Sequence, residues 1–491
     1  MSTAETRQGT VSGTYADGVH AFKGIPYAAP PFGPRRMRPP EPAPAWDGVR
    51  DCTRYGPTAP KNPYAPPFDT LLAEPAIPGE DCLNLNVWTP ELRGAGLPVL
   101  LWIHGGSFTN GSGAVPQYDG TAFARDGVVC VTINYRLGAD GFLFLPDGVA
   151  NIGLLDQVAA LEWVVDNIAR FGGDPARITI AGESAGAMSV TTLLSMPRAA
   201  GLFRRVIAAS GAGQHVLSPA TATRVGGYVA EKLGVPATRE AIAAIPVQRL
   251  LAAQTALGLD LQINPDPARW GEIATNLMVF EPVVDGDIVP AVPLDAIRQG
   301  AGRDVDVLIG TNTDEWRFFV VPPGVLEHIT DALLQARAAA HGLGDAALEL
   351  YRTNRPGATA GDVYAALVTD WFFWIPAIRV AEARSESPTW VYEFGWKSPV
   401  LGGQLGACHY VEVPFVFDAL RSEGAAPMVG SAPPQGVADD VHLAWVRFVT
   451  SGDPGWPRYE AADRATMLFD THSDVVHDLR AGERRLWDGL R

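Results

Sequence analysis

The sequence predicts an α/β protein, a mostly parallel sheet flanked by helices, and three observations carry that reading. Two continuous apolar runs, Pro98-Val99-Leu100-Leu101-Trp102-Ile103 and Val128-Val129-Cys130-Val131-Thr132-Ile133, have the composition of strands buried on both faces. Leu154, Leu155, Val158, Leu161, Val164, Val165, Ile168 and Phe171 recur at helical spacing and predict an amphipathic helix, which Gly172-Gly173 ends. A strand at Arg177–Ala181, a helix at Ala185–Leu194 and a strand at Val206–Ala209 continue the alternation. This is the pattern of right-handed βαβ crossovers that cover both faces of a sheet.

The other elements follow in order. Gly9–Gly13 and Val19–Phe22, separated by the turn residues Ala16-Asp17-Gly18, read as antiparallel hairpins at a sheet edge. Residues 26–67 are proline-rich and irregular, and Leu83–Trp88 alternates in strand fashion. Further strands are predicted at Asp306–Gly310 and Thr389–Phe394, and a helix at Val437–Thr450. Between about 212 and 300, and again between about 316 and 385, helix-rich text interrupts the sheet pattern with no flexible Gly/Ser linker. Both stretches are read as caps inserted into one domain spanning 1–491, above the strand-end crevice where α/β enzymes hold substrates.

Composition excludes several classes of function. The formal net charge of −16 argues against a nucleic-acid or anionic-membrane partner, because both need clustered Lys and Arg to neutralise phosphates. A hydrophobic fraction of 47% describes a globular chain, and no apolar run reaches the roughly 18 residues that cross a bilayer. The first residues, MSTAETRQGTVSG, contain no apolar signal core, so a cytoplasmic location is expected. Cys52, Cys82, Cys130 and Cys408 form no C-x-x-C pair and no zinc spacing. Cys130 and Cys408 are read as packing residues, the latter directly before His409.

The chemistry concentrates at Gly182-Glu183-Ser184-Ala185-Gly186, where strand becomes helix. So sharp a turn brings the residues flanking Ser184 against neighbouring backbone, which favours glycine, and leaves the serine exposed at the top of the sheet. A serine hydroxyl needs a neighbouring base, itself oriented by a third group. Of nine histidines, His104 ends a strand and precedes Gly105-Gly106-Ser107-Phe108, a loop able to aim backbone N–H groups at a developing oxyanion. His104 itself is read as shaping that loop. His409, on a loop after the late strand and last in chain order, is the better base; His20, His215, His328, His341, His442, His472 and His477 lack comparable surroundings and are mostly read as solvated. Asp314 and Glu315, after the strand Asp306–Gly310, compete as the orienting acid, and spacing does not separate them. Trp371-Phe372-Phe373-Trp374 reads as buried helix packing rather than pocket lining.

These stretches, with Phe22–Ala28, Glu80–Val87, Trp102–Phe108, Asn134–Arg136, Phe171–Pro175, Gly310–Glu315 and His409–Phe417, make the chain resemble the type-B carboxylesterases from end to end. That family includes cholinesterases, liver-type carboxylesterases and bacterial para-nitrobenzyl esterases. The resemblance implies the α/β-hydrolase fold, Ser184 as nucleophile, Glu315 as acid and His409 as base. It implies Gly106, Ser107 and Ala185 as oxyanion donors, Glu183 and Ser210 as supporting residues, and an Arg136–Asp174 ion pair. The chain departs from the family in four places. Ala59 stands where a disulfide partner of Cys82 is expected, Ser107 replaces a glycine, no tryptophan lies between Cys52 and Val87, and Trp316 and Tyr410 stand where glycine is usual. Without that indole, choline esters are not expected substrates.

The reading is therefore a serine carboxylesterase that acts on a small-molecule ester through an acyl-enzyme and needs no metal or organic cofactor. The same constellation serves carbamates, amides, thioesters or lactones equally well. A binding or adhesion protein that kept the fold without catalysis is the alternative from another class.

Overall fold

The structure is a computed structural model describing residues 1–491. Thirteen strands run in chain order: β1 Ser2–Glu5, β2 Thr10–Ala16, β3 Val19–Pro26, β4 Val49–Asp51, β5 Asn84–Thr89, β6 Leu97–Ile103, β7 Val129–Ile133, β8 Gly173–Glu183, β9 Arg205–Ala209, β10 Asp306–Asn312, β11 Thr389–Phe394, β12 Thr466–Phe469 and β13 Asp474–Val476. They form one sheet in the order β1-β2-β3-β5-β7-β6-β8-β9-β10-β11-β12-β13, with β4 paired to β2. From β7 through β12 every neighbouring pair is parallel, whereas both margins are antiparallel apart from β4, which pairs with β2 in parallel. The apolar runs occupy the centre: β7 is buried at every position and β6 at all but its first. β1, β4, β12 and β13 carried no signal in the sequence; each has three or four residues at or near a margin, too few for a periodicity to register.

The helix Ile152–Asn167 differs from expectation in an informative way. It is buried nearly all round, polar residues included, rather than amphipathic. Asp156 accepts from the backbone N–H and the guanidinium of Arg136 (Nη2–Oδ1 2.6 Å), and Gln157 Nε2 donates to Ser189 Oγ at 3.1 Å. Helices therefore crowd the parallel sheet so closely that this one has almost no solvent face, and the buried carboxylate of Asp156 is paired internally. The expected Arg136–Asp174 pair is not formed. Asp174 sits at the half-exposed start of β8, where its carboxylate accepts from Ala176 N–H at 2.9 Å.

Both stretches that interrupt the sheet, about 212–300 and 316–385, hold helices and no strand. The second includes Ala360–Ala383, long and apolar enough to cross a bilayer by composition, contrary to expectation; 89% of its apolar window is buried inside the protein. Trp371, Phe372, Phe373 and Trp374 form a wide π-helical turn within it, and all four are buried. Of the histidines read as solvated, His328, His472 and His477 are exposed, whereas His215, His341 and His442 are buried. The surrounding helices of the caps and of Gln435–Ser451 cover them, which no local pattern reveals. All four cysteines are free and buried.

Candidate active site

β8 delivers Glu183 to the top of the sheet, and the chain then reverses into the helix Ala185–Ser195 through Ser184, held at φ 56°, ψ −125°. A side chain is disfavoured in that region, and the surroundings over-determine it. Ser184 N–H donates to Ala209 O at 2.9 Å, and Ser184 O accepts from Met188 N–H at 2.9 Å. Gly186 has no room for a side chain: a Cβ there would lie 2.0 Å from Ile103 O at the end of β6. The glycine thus lets the elbow press against the neighbouring strand, and Ser184 reaches the cavity above the sheet.

β6 leads into the loop Gly105–Gly111. His104, fully buried, donates from Nδ1 to Gly105 O at 2.8 Å and stacks on Tyr135, whose hydroxyl donates to His104 O at 2.8 Å. Burial pulls the imidazole down to about 3, so it serves as a neutral brace for the loop. Gly106, Ser107 and Phe108 all take positive φ (108°, 53° and 59°). The N–H groups of Gly106, Ser107 and Ala185 donate to no backbone carbonyl. Both flanks of Ser184 thus present free main-chain donors.

β10 and the loop before Val413–Val416 bring in the acid candidates and His409. Glu315 Oε2 lies 2.7 Å from His409 Nδ1, and Glu315 Oε1 accepts from Asn312 N–H at 2.8 Å. Asp314 turns the other way, its carboxylate accepting from Ala407 N–H at 3.0 Å. Two adjacent acids that spacing left open are thus separated by the turn after β10: one pins the loop, the other meets the imidazole. Glu315 is fully buried, and Ser184 and His409 retain 9% and 6% exposure. The expected hydrogen bond from Ser184 to His409 is not formed; Nε2 lies instead 3.2 Å from Glu183 Oε1. Ser184, Glu183, His409, Gly106 and Ser107 share the wall of one cavity of about 290 Å³.

Residues 1–487 match the family model described as Carboxylesterase family. The chain belongs to that family. It is 37% identical to the para-nitrobenzyl esterase of Bacillus subtilis (strain 168), over 98% of this chain and 97% of the relative. It is 38% identical to the phenmedipham hydrolase of Pseudarthrobacter oxydans, over 97% of each. A crystal structure of a Geobacillus stearothermophilus carboxylesterase superposes with a TM-score of 0.86 at 39% identity, covering 99% of both chains. The fold is therefore the α/β-hydrolase fold, and the protein is a carboxylic-ester hydrolase.

Two features of this esterase escaped the sequence reading. Glu412, buried three residues after His409, accepts from Asn312 Nδ2 and from Ser210 Oγ, the latter at 3.3 Å. Burial first, and then Glu183 and Glu315 nearby, push its carboxyl up to about 8. Burial and Glu315 likewise push Glu183 well above the usual carboxyl range. An acid three residues beyond the candidate base was the available signal. The second is the cavity wall. Phe68, Leu72, Phe318 and Phe319 line it, whereas the cluster at 371–374 stands behind, with Phe373 packed 4.8 Å from the His409 ring. Trp316 also packs behind the wall, on Phe319 and Phe372, while Tyr410 enters the cavity.

Proposed function

We propose that this carboxylesterase works through Ser184, His409 and Glu315, with oxyanion donors from Gly106, Ser107 and Ala185. The observation that carries the reading is the 2.7 Å contact of Glu315 with His409 Nδ1. It commits the Nδ1 proton to the carboxylate and leaves Nε2 free to act as base on the cavity side. Substrate entry moves Nε2 from Glu183 to the Ser184 hydroxyl, a shift made cheaper because burial and Glu315 raise the Glu183 carboxyl and so weaken its hold on an imidazolium. Ser184 then attacks the ester carbonyl as His409 takes its proton. The oxyanion settles among N–H groups that have no competing acceptor, an arrangement worth about 3–4 kcal/mol per donor removed in related chemistry. His409 returns the proton to the departing alcohol, and water repeats the sequence on the acyl-enzyme.

The helix-bearing stretches at about 212–300 and 316–385 act in this proposal as caps on a single domain, with Gln262, Phe318 and Phe319 contributing to the cavity. Four free cysteines favour a reducing cytoplasm as its setting. A series of nitrophenyl esters from acetate to decanoate, with Ser184→Ala as control, tests the reading. The variant is expected to lose at least 10³-fold in kcat and to resist labelling by a serine-directed organophosphate, while the parent is labelled stoichiometrically at Ser184. Undiminished hydrolysis by Ser184→Ala removes the nucleophile assignment.

A further inference from the structure

The loop that carries two of the proposed oxyanion donors depends on support from outside itself. Gly106, Ser107 and Phe108 run consecutively at positive φ, and side chains occupy that region only where the surroundings impose it. Within the loop, Gly106 O accepts from Thr109 N–H and Asn110 N–H, both at 2.9 Å, which closes the turn but leaves its aim to whatever it leans on. Two hydrogen-bonded routes lead outward from it, and both end on the helix Val247–Ile263. On the first, Asn110 Nδ2 donates to Asn62 O at 2.8 Å, and Asn62 Nδ2 donates in turn to Leu251 O at 3.1 Å and to Thr255 Oγ1 at 2.7 Å. On the second, Phe108 O accepts from Gly138 N–H at 2.7 Å, and the next N–H, of Ala139, donates to Gln254 Oε1. This approach is close: a Cβ on Gly138 would lie 2.3 Å from Gln254 Oε1.

Leu251, Gln254 and Thr255 stand three and four residues apart and so share one face of the helix. Gln262, seven residues beyond Thr255, continues that face and lines the cavity. An adjoining stripe of Leu250, Ala253, Leu257 and Leu261 is buried and seats the helix. One helix face thus meets the cavity and braces the donor loop on both sides of Ser107, through Asn110 at Gly106 and through Gly138 at Phe108. We infer that Asn62 and Gln254 are positioning residues, which tie the helix Val247–Ile263 to the loop Gly105–Gly111 and hold the N–H groups of Gly106 and Ser107 on the spot where negative charge develops. The assignment depends on the oxyanion role proposed for those N–H groups. Donors that drift from that spot stabilise the tetrahedral intermediate less and leave the binding of a neutral ligand untouched.

The test uses Asn62→Ala, which keeps the main-chain acceptor for Asn110 and removes only the tie to the helix, and Gln254→Met, which removes the acceptor for Ala139. Gln254→Glu keeps that acceptor. Trifluoromethyl hexyl ketone reports on the donors: Ser184 Oγ bonds to its carbonyl carbon, the π pair moves onto the carbonyl oxygen, and the Ser184 proton passes to His409. Hexyl trifluoromethyl carbinol has the same skeleton and forms no oxyanion. In Asn62→Ala and Gln254→Met, kcat for nitrophenyl butyrate is expected to fall about 10–30-fold with KM within about twofold, and the Ki of the ketone to rise as kcat/KM falls. The Ki of the carbinol is expected to hold, and Gln254→Glu to stay within about threefold of the parent. Leu257→Ala, buried on the same helix and bonded to neither route, is expected to lower the melting temperature and leave both Ki values in place. A ketone Ki unmoved in Asn62→Ala and Gln254→Met overturns the assignment, as does an equal rise in Leu257→Ala, which marks lost stability rather than lost aim. The parent separates the two levels. Binding the ketone no tighter than the carbinol sinks the oxyanion reading itself; a preference of about 10²-fold or more that both variants retain sinks only the ties to the helix.

Discussion

Replacing Lys61 by Met probes how the loop of main-chain donors is held. Lys61 Nζ lies 3.3 Å from Glu74 Oε1, with side chains only 2% and 10% exposed, and also donates to Pro75 O at 3.0 Å. Glu74 in turn accepts from Gly111 N–H at 3.2 Å and from Asn110 Nδ2 at 3.3 Å. The ion pair therefore anchors the far end of the loop that carries Gly106, Ser107 and Phe108 at positive φ. Removing one partner of a buried pair costs about 3–5 kcal/mol because the other charge is stranded. Burial already raises the Glu74 carboxyl, and loss of the lysine raises it further. In the variant, folding then takes up a proton wherever the pH lies between the unfolded and folded values of this carboxyl. Stability accordingly falls as pH rises through that window, by up to about 1.4 kcal/mol per pH unit. Urea unfolding at pH 5, 6.5 and 8 is expected to show a deficit near 3 kcal/mol at pH 8 and much less at pH 5. Adding Glu74→Gln, which removes the stranded charge and keeps an acceptor for Gly111, is expected to recover most of it. In the single variant, kcat/KM is expected to fall about 10–100-fold, chiefly in kcat. An equal deficit at pH 5 and pH 8, or a double variant no better than the single, refutes the reasoning.

Other outcomes follow from the same geometry. Gly186→Ala forces a Cβ to within 2.0 Å of Ile103 O, and neither backbone can yield inside the sheet; a loss above about 4 kcal/mol in chemical unfolding is expected, together with loss of activity. Glu412→Gln removes a carboxyl whose folded value, about 8, exceeds its ordinary 4.5. Folding of the parent takes up that proton between those values, so parent stability declines across the window. The stability advantage of Glu412→Gln over the parent is expected to grow from pH 5 to pH 8, read as a flatter plot of melting temperature against pH.

The central sheet was legible because burial on both faces writes itself as unbroken apolar text: β6, β7, β9, β10 and β11 lie within two residues of where that text begins and ends. β8 is the instructive exception. It begins at Gly173, four residues before its β-branched run, because Leu97 pairs with Gly173 before the register shifts and Val99 meets Ile178. An irregular pairing of this kind is a property of two strands together and leaves no mark in either. The same holds for Asp156, which the apolar periodicity of its helix does not single out and which is the acid that takes Arg136. The Ser184 turn, by contrast, is a local event, and its glycines announced it.

Side chains that act in groups were the least legible, for an electrostatic reason. Glu183, Glu315 and Glu412 come from β8, from the turn after β10 and from the loop after His409; the first two meet its imidazole, and all three are buried close together. Three ionised carboxyls could not share that space. Burial, reinforced by the charge of the others, drives Glu183 and Glu412 toward the neutral acid. Glu183 lies 3.2 Å from Nε2 of His409, and Glu412 accepts from Ser210 and Asn312. Which glutamate keeps a proton depends on the sum of desolvation and neighbours at each position. That sum exists only in the folded chain, so residue type and spacing could identify the acids but not divide their labour.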